Sequence, residues 1–139
     1  MSKTPSNNPQ PQSSDKFLNV AHDLEVAGLL WHPEVGDEVA DREGRQPVAI
    51  LVDPQGMTPT ELRQTYLWLP TVEQIIYQFE ARQAVLFHAG FELTDAEACY
   101  KTVIQASFGH IESRADSFRV SLGLALRDLL LTPVTSVMN

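Results

Sequence analysis

Apolar positions along this chain fall into short stripes, and the spacing of those stripes changes several times between the two ends. Phe17, Val20, Ala21, Leu24, Ala27 and Trp31 recur at helical spacing while Asp23 and Glu25 fall off the stripe, which predicts a first helix over Lys16 to Leu30. Trp31-His32-Pro33 should end it, because a residue before proline is pushed out of the α region. Glu34 to Gln46 is polar and has no period. Within it, Val35 to Ala40 and Pro47 to Asp53 are suited to pair as a hairpin around Arg42-Glu43-Gly44-Arg45, with Gly44 taking the positive φ that such a connection needs. Val48 to Val52 is the longest aliphatic run and reads as a buried strand.

Local turn and cap chemistry sharpens the middle of the chain. Asp53-Pro54-Gln55-Gly56 has the residue order of a type I turn. Thr58-Pro59-Thr60-Glu61 supplies a hydroxyl cap, a proline whose missing N–H is no loss at the first helical position, and a glutamate able to reach back to the cap. A helix is therefore expected from Pro59 to about Trp68. Leu69-Pro70-Thr71 restarts the chain, and Val72, Ile75, Ile76 and Phe79 trace another amphipathic helix. Ala84 to His88 fits either a continuation of that helix to Gly90 or a buried strand. The absence of turn residues in Glu80, Arg82 and Gln83 favours the helix.

Thr94-Asp95-Ala96-Glu97 reads as a second capping box, opening a helix with Ala96, Cys99, Tyr100, Val103 and Ile104 on its apolar side and an end near Gly109. A final helix from around Ser113 has one stripe of Phe118, Leu122, Ala125, Leu126 and Leu129 and a second of Val120, Leu124 and Leu131. A helix that covers only its own domain needs one such face. Two faces mean either a helix central to the domain or a homodimer seam formed by Val120, Gly123, Leu124 and Leu131, with Gly123 allowing a close backbone approach.

Composition narrows the setting. The 139 residues suit one domain, expected over 16–139. Residues 1–15, rich in Ser, Asn, Gln and Pro, are expected to form a disordered tail because they cannot offset the entropy of ordering. Ten Lys and Arg against eighteen Asp and Glu give a net charge of −8, which disfavours nucleic acid and anionic membrane surfaces as partners. One cysteine, no apolar leader and no membrane-length apolar run suggest a soluble cytoplasmic protein.

Chemistry-bearing residues are sparse. Cys99 is a conceivable nucleophile, with His88 and His110 as bases, in a small-molecule- or metal-binding enzyme. A cysteine on an apolar stripe is more often a buried spacer, and each histidine is expected to be a core or boundary residue satisfied by backbone. Glu34, Asp37, Glu38, Asp41 and Glu43 form an acidic stretch beside His32 whose spacing breaks the calcium-loop order. It is a solvated loop or a face for a basic protein partner. Asp53 is explained by its turn and His22 by solvent, while Trp31, Tyr66, Trp68 and Tyr77 could line a pocket or join two helices. No zinc spacing and no glycine-rich phosphate loop occurs, so no metal and no cofactor is expected.

Together these features define an α+β fold: a helix-rich compact single domain with a small β-hairpin or sheet near residues 35–53 and a disordered N-terminal tail. The expected role is that of a non-catalytic protein–protein interaction or regulatory module, homodimeric through its C-terminal helix.

Overall fold

A computed structural model describes residues 13–44 and 48–132. Residues 1–12 of the tail expected over 1–15, part of the connection after Gly44 and the last seven residues lie outside them. The fold is α+β. In chain order the elements are α1 (Ser13–Val26), β1 (Glu38–Asp41), β2 (Val48–Ile50), α2 (Pro59–Thr65), β3 (Tyr66–Trp68), α3 (Val72–Ala81), β4 (Val85–Leu93), β5 (Ala98–Ala106), β6 (Gly109–Ala115) and α4 (Phe118–Leu131).

Helix α1 starts earlier than its apolar stripe and stops well before Pro33. Gly28, at φ 108°, takes the left-handed conformation, and the Leu29 N–H reaches back to the Leu24 carbonyl at 2.9 Å. That is a Schellman ending, so glycine rather than the proline terminates the helix. The two capped helices follow local chemistry closely. Thr58 Oγ1 accepts from the Glu61 N–H at 3.1 Å while Glu61 Oε1 accepts from the Thr58 N–H at 2.8 Å. Thr71 and Gln74 repeat the same exchange at the start of α3.

The turn before α2 sits one residue later than its sequence suggests. Met57 N–H donates to the Pro54 carbonyl at 2.9 Å, and Gln55 and Gly56 both have positive φ (55° and 78°). This is the left-handed turn geometry, with Asp53 Oδ1 accepting from the Gln55 N–H at 2.9 Å. The run before it is not a buried strand. β2 covers only Val48–Ile50 at the edge of a three-stranded antiparallel sheet of order β2-β1-β3, and Ile50 and Val52 are exposed while Leu51 alone is buried.

The larger departure lies between residues 84 and 115. Ala84 to His88 does not continue α3: Ala84 is buried and β4 begins at Val85. The helix expected from Ala96 is replaced by β5, and β6 occupies Gly109–Ala115, so the final helix starts later than Ser113; β5 and β6 join β4 in a second antiparallel sheet of order β4-β5-β6. Thr94 does accept from the Ala96 and Glu97 N–H groups at 3.2 and 3.0 Å, as a cap would. It also donates its own N–H to the Glu97 carbonyl at 2.8 Å, which closes a turn between β4 and β5. β-Branched Thr102, Val103 and Ile104 suit the strand that results. Helix α4 then opens at Phe118 on a Ser117 cap.

The main core joins all these layers. Phe17, Val20 and Leu24 of α1, Ile75 and Phe79 of α3, Ile104 of β5 and Leu122, Ala125 and Leu126 of α4 are buried together with Ala40, Leu67 and Leu69 from the first sheet. A smaller cluster holds Trp31, Val39, Leu51 and Leu62.

Candidate functional site

The register of the second sheet determines what its two faces offer. Leu86 faces Ile104, Ala89 faces Thr102 and Phe91 faces Tyr100, while Ile104 faces Ile111 and Thr102 faces Ser113 across the other pairing. This is the face that α4 covers. Thr102 Oγ1 and Ser121 Oγ lie 2.7 Å apart, and Ser113 Oγ donates to the Ser121 carbonyl at 2.8 Å. At one end of this face an aromatic run links β4 to α4: Phe91 meets Tyr100 edge-on at 5.2 Å, and Tyr100 meets Phe118 at 5.8 Å.

The opposite face carries a lattice of charge. Glu92 lies 3.6 Å from His88 and 3.7 Å from Lys101, Lys101 lies 3.8 Å from Glu112, and Arg114 pairs with Glu112 at 2.9 Å and Glu97 at 3.9 Å. The hydrogen bond to Glu112, and a lesser one to Cys99, raise the pKa of Arg114 above its ordinary value.

Cys99 is buried on β5, opposite Glu92. His88 stands opposite Val103 and His110 opposite Gln105, so at strand rise they lie roughly 13 and 20 Å along β5 from Cys99. The structure does not bring a thiol and an imidazole together. Both histidines are exposed rather than core residues, as is His22. Among the described residues no group of three or more His, Cys, Asp or Glu is placed to hold a metal ion.

The acidic stretch is dispersed as well. Asp37 is buried and accepts from Trp31 Nε1–H at 2.8 Å, the Glu34 N–H at 2.9 Å and Gln74 Nε2–H at 2.9 Å. Glu38 pairs with Arg119 at 3.1 Å. Asp41 folds back on the Glu43 N–H at 2.9 Å, and only Glu34, Asp41 and Glu43 remain exposed. The expected aromatic grouping does form in part. Trp31 and Trp68 stack with ring centres 6.4 Å apart. A cleft of about 300 Å³ beside them is lined by His32, Glu34, Glu73, Tyr77 and Gln78.

On α4, Val120 and Gly123 are buried inside the chain. Leu124 is partly buried against the core, and Leu131 alone of the four expected seam residues is exposed. The second apolar stripe mostly belongs to a central helix, sandwiched between α1, α3 and the second sheet.

Exposed large apolar side chains are scattered over several elements, and β4 carries four of them. Val85, Phe87, Phe91 and Leu93 are 62%, 71%, 57% and 78% exposed, and Phe108, in the turn between β5 and β6, is half exposed. Sequence reading missed these exposed residues, because assigning residues 84–88 to a helix hides a strand. Val85 stands opposite Gln105 on the charged face of the sheet, whereas Phe91 stands opposite Tyr100 on the face toward α4.

No family model matches the chain, and neither a curated protein nor a solved structure does. Its class is therefore that of its fold, an α+β protein with two three-stranded antiparallel sheets. None of the described helices is long and apolar enough to cross a membrane.

Proposed function

We propose that this protein is a non-catalytic interaction module that works as a homodimer, with its contact surface on the second sheet rather than on α4 alone. One observation carries the reading: Val85, Phe87, Phe91 and Leu93 are exposed on a strand that pairs with β5 on one side and with no described strand on the other. The separation of Cys99 from both histidines supports a binding role over a thiol enzyme. The single buried cysteine, with no disulfide partner, suits a reducing compartment such as the cytoplasm.

A native mass spectrum of the purified protein tests this reading. A dimer without added mass is the expected result. A monomer carrying a bound metal or small molecule would overturn it. A basic protein is a second kind of partner, favoured by the cleft that Glu34, Glu73 and Tyr77 line. Such a complex would weaken as salt is raised, and an unchanged affinity would exclude it.

A further inference from the structure

β4 has β5 on one side and no strand on the other among the described residues, so the main-chain groups along its outer edge have no described strand to pair with. The two edges of this sheet are built differently. β6 sets His110, Glu112 and Arg114 along its exposed positions, the charged residues with which natural proteins blunt an edge. β4 has no lysine, arginine or proline; it carries His88 and Glu92 on one face, and Val85, Phe87, Phe91 and Leu93 are exposed along it.

We infer that β4 pairs antiparallel with β4 of a second copy about a two-fold axis at Gly90, making one continuous six-stranded sheet. This deepens the homodimer reading and rests on it. Three features select the register. The bulge between Leu86 and His88 breaks the ladder there, so the regular part of the strand runs from His88 to Leu93. Within that part, centring on Gly90 sets His88 of each copy against Glu92 of the other. An imidazole and a carboxylate are complementary as donor and acceptor, and these two already lie 3.6 Å apart within one chain. The same register sets Ala89 against Phe91, small against large, and leaves the axis itself to a glycine that places no side chain at the symmetric contact. A centre one residue earlier would oppose His88 to Gly90 and leave Glu92 facing Leu86, losing both imidazole–carboxylate pairs. A two-fold contact of this kind is closed and limits assembly to the dimer, because each β4 edge is consumed by the other.

Site-specific oxidation tests the seam in the full chain. Directly opposed residues of antiparallel strands have Cα atoms about 4.5 to 5.5 Å apart, inside the range that a disulfide spans. A Cβ at Gly90 would meet nothing closer than the His88 ring at 3.8 Å, so cysteine fits there without strain. In a Cys99→Ser background, Gly90→Cys should form a covalent dimer under mild oxidation. Ala98→Cys, exposed on β5, should not. His88→Glu should weaken the dimer by roughly tenfold through two pairs of facing carboxylates, and Glu92→His added to it should restore affinity.

A dimer in the native spectrum with no linkage at position 90, or with equal linkage at position 98, overturns this seam and leaves the homodimer reading standing. A monomer in the native spectrum overturns both.

Discussion

Gly123 of α4 lies so close to Val20 of α1 that a Cβ on the glycine would stand 2.6 Å from Val20 Cγ1 and 3.1 Å from Phe17 Cε1. Two helices thus approach through a residue with no side chain, and α4 turns its supposed second face toward α1. The glycine is a packing requirement inside one chain. Arg119, on the same helix, sets its guanidinium 4.2 Å over the Phe17 ring and donates to the Leu69 and Pro70 carbonyls at 2.7 and 2.9 Å, tying the start of α4 to the segment before α3.

Gly123→Ala should therefore destabilise the fold although alanine is the better helix former. Overpacking costs about 1 to 3 kcal/mol and the gain in helix propensity returns about 1 kcal/mol. Adding Val20→Ala should make the pair more stable than the two single effects sum to, by about 1 kcal/mol in urea unfolding. Simple additivity would mean the methyl finds room elsewhere.

The hydroxyl pair between β5 and α4 makes a second, separable contribution. Ser121→Ala leaves the buried Thr102 hydroxyl without the partner that stands 2.7 Å away. The loss should be about 1 to 3 kcal/mol, and Thr102→Val in the same chain should recover most of it, because removing both polar groups avoids the unsatisfied one. Equal midpoints for Ser121→Ala and the double variant would contradict this.

Asp37 and Gln74 form a donor–acceptor pair whose sense can be reversed. Gln74 must donate to Asp37 because its Oε1 already accepts from the Thr71 N–H at 2.9 Å. Asp37→Asn then sets two amide donors against each other, and Gln74→Glu alone sets two carboxylates together. Each should cost about 1 to 3 kcal/mol. The combined Asp37→Asn, Gln74→Glu variant should lie closer to the wild type than either single change, as measured by thermal unfolding.

Acid should expose the contact between Lys16 and Asp116, which joins α1 to the loop before α4. The hydrogen bond from Lys16 holds the Asp116 carboxyl below the usual aspartate range. A carboxylate with a depressed folded-state pKa stabilises the fold above its unfolded value and loses that contribution as pH falls through the folded one. The stability difference between wild type and Asp116→Asn should thus be present at neutral pH and vanish in strong acid. Because both groups are exposed, added salt should shrink it as well.

Native alkylation gives a direct reading of Cys99. Its burial on β5 predicts slow modification near neutral pH and fast modification after denaturation. Fast labelling of the folded protein would reopen a thiol role.

Sequence alone determined the elements whose signals are local. The Thr58–Glu61 box placed the start of α2 to the residue, and the Thr71 restart placed α3, because a cap is decided by four neighbouring residues and their backbone N–H groups. The α+β class and the amphipathic stripe of α1 were legible in the same way. The second sheet was not. Ala96, Cys99, Tyr100, Val103 and Ile104 follow a helical spacing, yet Ala96 lies in the turn before β5 and the other four divide between its two faces, Tyr100 and Ile104 toward α4 and Cys99 and Val103 away from it. A central strand covered by a helix on one side and by a lattice of charged side chains on the other keeps apolar residues on both, and so shows no clean alternation. Pairing with β4 and β6, between residues up to 20 apart in sequence, decided the matter. The same nonlocal pairing decided the candidate site, because whether Phe87 and Phe91 are core or surface depends on what lies along both edges of β4, and only the assembled sheet shows β5 on one edge and no described strand on the other.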